Sequence, residues 1–246
     1  IIASAGGAAL LKLALAGPAL PRLEDETGYH LQSLIFLSGT LKASLALPDM
    51  PAVMDALRLP FIGQDLQNYY SLHLHGWPLV LTLFGYLHVS PFANLLLSAL
   101  NVFLFYRLLS LHMRPISWPA LVSLAVFCLS PLLLFLSGTY MAHTFALTLS
   151  MLLLHSHERI TSSRSLAGNV FFAAVCAVIA AVLLFSRAQT LVPILAALLA
   201  AGLLERGKST ERLSVVLRAS ALVLGATAGY LALRAYGGYF PGFPVN

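Results

Sequence analysis

Trp77-Pro78-Leu79-Val80-Leu81-Thr82-Leu83-Phe84-Gly85-Tyr86-Leu87-His88-Val89 is a predominantly apolar stretch of thirteen residues. A helix that crosses a bilayer needs about 20 such residues, so this one has the length of an interfacial or re-entrant segment. The reading decides the fold, because it sets the side on which everything before Trp77 lies. If 77–89 crossed, residues 21–90 would share a compartment with the basic loops further on. If it lies along the boundary, they face the opposite side.

Outward from that stretch, the chain of 246 residues is 59% hydrophobic and only 9% charged, with a mean hydropathy of +0.86. Soluble domains carry about a quarter charged residues, and disordered chains are charge-rich and apolar-poor. Both classes are excluded, and the composition predicts an all-α polytopic membrane protein. Cys128 and Cys176 sit inside apolar runs, which argues against a disulfide framework or a thiolate metal site. The net charge of +5 is thinly spread and does not form a nucleic-acid-binding face, so no nucleic acid partner is expected.

Apolar windows predict about seven spans in a single transmembrane domain, near 1–20, 91–110, 118–136, 142–156, 168–186, 190–204 and 215–236. The chain opens on Ile1-Ile2-Ala3 and closes on Pro244-Val245-Asn246, and reads as a fragment of a longer protein with a truncated first span. Arg107 with Arg114, Arg159 with Arg164, and Arg206, Lys208, Arg212 and Arg218 mark three short turns separated by two spans each. By the positive-inside preference these turns are cytoplasmic. Residues 21–90 hold six of the nine acidic residues (Glu24, Asp25, Glu26, Asp49, Asp55 and Asp65) against Arg22, Lys42 and Arg58, which suits the outer face. Within this loop Leu31, Leu34, Ile35, Leu41 and Leu45 recur at helical spacing, predicting an amphipathic helix in the interface that ends before Pro48 and Pro51.

Four separated groups then fall on that outer side. Glu24-Asp25-Glu26 is either a solvated helix start, with Asp25 or Thr27 as N-cap, or a general base or cation site. In Asn68-Tyr69-Tyr70-Ser71-Leu72-His73-Leu74-His75-Gly76-Trp77, the residues Tyr69, Tyr70 and Trp77 read as an interfacial aromatic belt. His73 and His75 would point the same way in an extended segment and could hold a metal or a phosphate. Tyr140 and His143 lie between the third and fourth spans, and Arg187 is the only charge in its turn. A lone Arg at membrane depth suits an anion. Asn94 and Asn101, seven apart, read as interhelical hydrogen-bonding groups, and Pro193 as a tolerated kink.

A carboxylate to take a proton and a cation to hold a phosphate are what sugar transfer from a lipid-linked donor requires. In layout the chain resembles the membrane-embedded glycosyltransferases of the GT-C fold, in the branch of the protein O-mannosyltransferases and the aminoarabinose transferases that modify lipid A. Asp25-Glu26, just after the first span, is similar to that family's Asp-Glu pair. His75-Gly76-Trp77-Pro78-Leu79 is similar to its His-Pro-Pro-Leu or Lys-Pro-Pro-Leu element, without the Lys and with one Pro fewer. Arg187 resembles an Arg of a later external turn, while His143 stands where the family often has an acid.

The resemblance implies a GT-C-like helix bundle whose first external loop carries juxtamembrane amphipathic helices. It implies an inverting transfer from a polyprenyl-phosphate sugar to a hydroxyl or amine of a lipid, glycan or protein, on the external or periplasmic side of a bacterial inner membrane. Asp25 and Glu26 would be catalytic, and Tyr29, His73, His75, Tyr140, His143 and Arg187 would bind substrate. A divalent metal, where one is used, would be held by Asp25, Glu26 and His143. The competing reading is a secondary transporter or flippase for a small or lipid-linked solute, with a non-catalytic scaffold as the third.

Overall fold

The computed structural model describes residues 21, 23–44, 61–65, 68–114, 117–162, 165–204 and 212–240. Of the described residues 77% are helical. In chain order the elements are α1 (Glu24–Leu37), β1 (Ala43–Ser44), β2 (Ile62–Asp65), β3 (Asn68–Ser71) and α2 (Gly76–Tyr86), then a 3-10 turn (Ser90–Phe92), α3 (Ala93–His112), α4 (Trp118–Cys128), α5 (Pro131–Ser137), α6 (His143–Ser162), α7 (Leu166–Leu204) and α8 (Arg212–Gly237).

α1 starts inside the acidic triplet, not after it. Leu23 is the N-cap and offers no side-chain cap, while Glu24, Asp25 and Glu26 fill the first turn, where the helix dipole favours negative charge. Neither Asp25 nor Thr27 is the N-cap. The helix ends at Ser38, where Gly39 takes φ +80°, a left-handed value that suits glycine. Leu41 therefore does not continue the helical stripe of Leu31, Leu34 and Ile35. The chain instead turns into β1, which pairs antiparallel with the central strand β3; β2 flanks the other side. This three-stranded sheet departs from the all-α expectation. Its strands are two to four residues long, too brief to leave an alternating signature. Leu45, Pro48 and Pro51 fall outside the described residues.

α2 carries the decisive stretch. Its 11 residues rise about 16 Å at 1.5 Å each, far short of a hydrocarbon core of about 30 Å. Leu87 ends it, His88 sits at φ +56°, and α3 then begins as a separate helix. Trp77, Leu81 and Thr82 are buried inward, while Leu79, Leu83, Tyr86 and Leu87 form an exposed apolar stripe at i, i+4, i+7 and i+8.

Among the described residues two helices are long and apolar enough to cross a membrane, Ser90–His112 and Ala167–Leu191, and α4 with α5, bent by 47°, makes a third if the pair is one span. The expected stretches 142–156 and 215–236 are helical, as α6 and α8, but lie outside that set. α6 carries Thr144, Thr148, His155, His157, Glu158 and Arg159, and α8 carries Arg218 and Arg234. Stretches 168–186 and 190–204 fall on the two helical parts of α7, which are separated by a kink at Arg187, where the backbone leaves helical geometry. The stretch 1–20 lies outside the described residues. α7 and α8 pack through small residues. A Cβ on Gly225 would collide with the Ala177 carbonyl oxygen, and one on Gly229 would sit 2.9 Å from Ala181 Cα, the close approach that small-xxx-small faces permit.

Candidate functional site

The site begins with Asp25 on the first turn of α1 and with His73, two residues past β3. Asp25 Oδ1 lies 3.8 Å from His73 Nε2, too far for a hydrogen bond and an ion pair only when His73 is protonated. His73 is gripped on both ring faces. Tyr29 stacks at 4.4 Å and 26°, and Phe61 at 4.6 Å and 23°. Its backbone N–H donates to Ser71 Oγ at 3.1 Å, and Ser71 N–H donates to Gln32 Oε1 at 2.8 Å. Gln32 Nε2 in turn donates to the Leu41 carbonyl, so one buried amide ties α1 to the sheet that carries His73. Gly28 makes room for the arrangement, since a Cβ there would lie 2.8 Å from His73 Cδ2.

The second half comes from the bundle. Arg187 occupies the break in α7, and its Nη1 donates to His143 Nδ1 at 3.3 Å. With Nδ1 accepting, the neutral His143 ring carries its proton on Nε2. The turn before His143 is strapped from three sides. Asn94 Nδ2 donates to the Thr139 and Met141 carbonyls at 2.7 and 2.8 Å, Asn101 Nδ2 to the Thr144 carbonyl at 3.1 Å, and Trp77 Nε1 to the Tyr140 carbonyl at 2.6 Å. The two Asn side chains reach across to neighbouring chain as their spacing predicts. Gly76 presses the start of α2 against Ser186, directly before Arg187.

The halves share one field. Asp25 and Arg187 both act electrostatically on Tyr29, His73 and His143. Burial pushes the Tyr29 phenol up to about 12, with Arg187 opposing and Asp25 adding. Burial lowers His73 below the usual histidine range, Asp25 raises it and Arg187 lowers it further. His73 is therefore neutral at pH 7, and its buried Nε2 has no hydrogen-bond partner among the described residues. The arrangement sets a carboxylate and a guanidinium around a neutral aromatic and imidazole surface, which suits a proton acceptor beside an anion seat.

Of the sequence-predicted residues, Asp25, Tyr29, His73, His143 and Arg187 come together. Glu26 is buried beside Tyr140, whose phenol is raised first by burial and then by the Glu26 charge. Tyr140 also packs its ring at 4.9 Å from His30. His75 parts from His73. It is fully buried, its Nε2–H donates to the Ser71 carbonyl at 3.0 Å, and its Nδ1 accepts from Tyr236 Oη at 2.6 Å. Both ring nitrogens are occupied, so His75 braces α8 against the sheet and does not face Asp25. Tyr69, Tyr70 and Trp77 are core residues, not an interfacial belt.

Among the described residues no three His, Cys, Asp or Glu side chains gather as a metal would require. Asp25 pairs with His73, while Glu26 and His143 serve different neighbours, so these residues do not make up the expected ligand set. Sequence reasoning missed Gln32, Phe61 and Gly28; a helical amide and glycine and a ring in a turn carry no pattern that announces a role. Comparison with protein-family models, with curated proteins and with solved structures finds no match for this chain.

Proposed function

We propose that this chain belongs to a membrane-embedded glycosyltransferase of the GT-C type, an inverting enzyme that moves a sugar from a polyprenyl-phosphate donor to a hydroxyl or amine. The acceptor is a lipid, glycan or protein at the external or periplasmic side of a bacterial inner membrane. One observation carries the reading: Asp25 and Arg187, remote in sequence, act together on Tyr29, His73 and His143 between them.

The Asp25 carboxylate takes the acceptor proton as its oxygen or nitrogen attacks the anomeric carbon. The new bond to carbon forms as the bond from carbon to the phosphate oxygen breaks, and the electron pair leaves with polyprenyl phosphate. Arg187 and His143 Nε2–H hold that oxygen as its charge grows, and the tail remains in the bilayer. Tyr29 and His73, stacked on each other, stand beside Asp25 at the edge of the sugar's place. No step is routed through a metal, since Asp25, Glu26 and His143 are not gathered around one point.

The decisive experiment measures product from a polyprenyl-phosphate sugar with the full-length protein, comparing wild type with Asp25→Asn and Arg187→Gln. Loss of a proton acceptor lowers turnover by about 100- to 10,000-fold, and loss of Arg187 raises the KM for the phosphate donor. Turnover unchanged in Asp25→Asn refutes the base.

The bent α4–α5 pair favours a second reading, since transporters build sites on broken helices. That pair covers 118–137 without one Asp, Glu, Lys, Arg or His, which leaves a broken-helix site without a charged side chain to hold a solute ion. Substrate flux into vesicles without a glycosylated product would establish this alternative.

A further inference from the structure

α2 reaches both halves of the site, and does so at the chain neighbours of the working side chains. Gly76 lies against Ser186, where a Cβ would collide with Oγ and stand 3.0 Å from Cα; Ser186 directly precedes Arg187. Trp77, fully buried, brackets His143. Its Nε1–H donates to the Tyr140 carbonyl at 2.6 Å, and its ring stacks on Phe145 with centroids 5.4 Å apart and planes at 29°. The N–H fixes the chain just before His143, and the ring fixes it just after.

The rest of α2 is bound to α1. Thr82 follows Trp77 by about 7.5 Å along the helix axis. Its hydroxyl proton is shared between the Pro78 carbonyl of α2 at 2.8 Å and the Ser33 carbonyl of α1 at 3.2 Å. Ser33 stands roughly one turn beyond Tyr29 and two beyond Asp25. Gly85 keeps the two helices close, since a Cβ there would already touch Leu37 at 3.6 Å. Between these contacts Leu81 is buried in the same apolar cluster as Tyr29, Trp77 and Tyr140. Close-packed interiors transmit displacement, and a hydrogen-bonded helix of 14 residues carries it from Ser33 back to Asp25.

We infer that α2 is the spacer that sets the separation of Asp25 from the Arg187–His143 pair. Trp77 and Gly76 position the pair, Thr82 positions the helix that carries the carboxylate, and each acts through another residue. A proton acceptor and an anion seat serve one reaction only while their geometry holds to about 0.5 Å. Asp25 and Arg187 lie far apart in sequence, so that precision has to come from packing across the fold. The spacer acts on geometry alone; its kinetic consequence rests on the sugar-transfer reading.

The test follows His73 and His143 by NMR titration of isotope-labelled histidine in the full-length protein, comparing wild type with Trp77→Phe and Thr82→Val. Burial lowers both rings; Asp25 raises them and Arg187 lowers them further. When the halves part, His73 loses the influence of Arg187 and titrates higher, while His143 loses that of Asp25 and titrates lower. A merely structural loosening admits water to both rings and moves both upward. Opposite shifts are therefore the expected result, with the donor KM of Trp77→Phe raised about tenfold. Leu153→Ala, a core truncation further along α6, lowers Tm by at least as much and moves neither ring. Should Trp77→Phe misfold, benzothienylalanine at position 77 removes the same N–H from a ring of the same shape. Shifts of one sign, no shift in a folded variant, or the same opposite shifts in Leu153→Ala would overturn the spacer. A wild type that makes no product, or a donor KM unmoved beside opposite shifts, overturns the sugar-transfer reading and leaves the spacer standing.

Discussion

Gly28→Ala is the sharpest probe of the site, because it adds one carbon and nothing else. The new Cβ would lie 2.8 Å from His73 Cδ2, 3.0 Å from Ser71 Oγ and 3.4 Å from His73 Nε2. An ordinary contact needs the His73 ring to withdraw by about 0.6 Å, an overpacking of the kind that costs about 1–3 kcal/mol. The ring cannot move along its own normal, since Tyr29 and Phe61 stack on its two faces. It must slide in its plane, which changes the 3.8 Å separation from Asp25. Alanine recovers about 1 kcal/mol through its better helix propensity. The net loss is about 1 kcal/mol, a fall in Tm of about 2–4 °C for a chain of this size. Turnover should drop more than stability does, by about tenfold, because sub-ångström misplacement is felt directly at a reacting centre. Gly39→Ala is the control. It has open space around it but a φ of +80°, so it costs about 1 kcal/mol in backbone strain and leaves turnover intact. Thermal unfolding in detergent and product formation, measured on both variants, separate the two effects. Wild-type turnover in Gly28→Ala, or equal turnover losses in both, would refute the claim that His73 is held in register with Asp25.

Three further outcomes follow from the same geometry. Tyr236→Phe removes the donor to His75 Nδ1 and strands a buried acceptor, costing about 1–3 kcal/mol; a thermal melt checks this, and an accompanying rise in the donor KM would show that His75 touches substrate after all. Burial lowers His75 from 6.5 to about 4, so the unfolded chain binds a proton between those values and the folded one does not. Stability is full above pH 6.5 and falls by on the order of 3 kcal/mol as pH drops toward 4, and His75→Gln should flatten the Tm-against-pH curve in that window. Gly225→Leu drives a branched side chain into the Ala177 backbone across the α7–α8 contact and should abolish a monodisperse peak in size-exclusion chromatography, while Leu224→Ala, on an exposed position, should not.

What was legible in the sequence was whatever rests on composition and segment length. Thirteen residues too few to span do form a short separate helix, and Asp25, His73, His143 and Arg187 do meet. What was illegible depends on partners remote in sequence. His73 and His75 look alike at a spacing of two, yet the chain leaves β3 at Ser71 and turns, so period-two alternation no longer applies to them. One ring enters the stack of Tyr29 and Phe61, and the other meets Tyr236 from α8. Tyr69, Tyr70 and Trp77 have the side chains of an interfacial belt, and only the packing of α1, α2 and the sheet reveals that they are core. The run of Leu31, Leu34, Ile35 and Leu41 suggested one long helix because hydrophobic periodicity does not register a stop. The stop is Gly39, a residue whose left-handed conformation ends the helix two positions before Leu41.

Arg187 shows how local chemistry and distant packing combine to place one side chain. Pro193 lacks an N–H and crowds the carbonyl four residues before it, that of Gln189, so α7 is weakened just after Arg187. Just before it, Ser186 turns its hydroxyl back to the Val182 carbonyl at 2.7 Å, a bond that competes with the helical ladder. Gly76 of α2 bears on that same Ser186, so the weakened turn is also braced from the side. Arg187, alone between the two perturbations, adopts extended backbone geometry at φ −162° and ψ 80°. An unbroken helix would aim residue 187 by the 100° step of its neighbours. The extended residue instead releases the guanidinium from that constraint, and it reaches His143 at the start of α6. The break is thus the means by which a long apolar helix delivers a cation to the place where Asp25 and His73 meet.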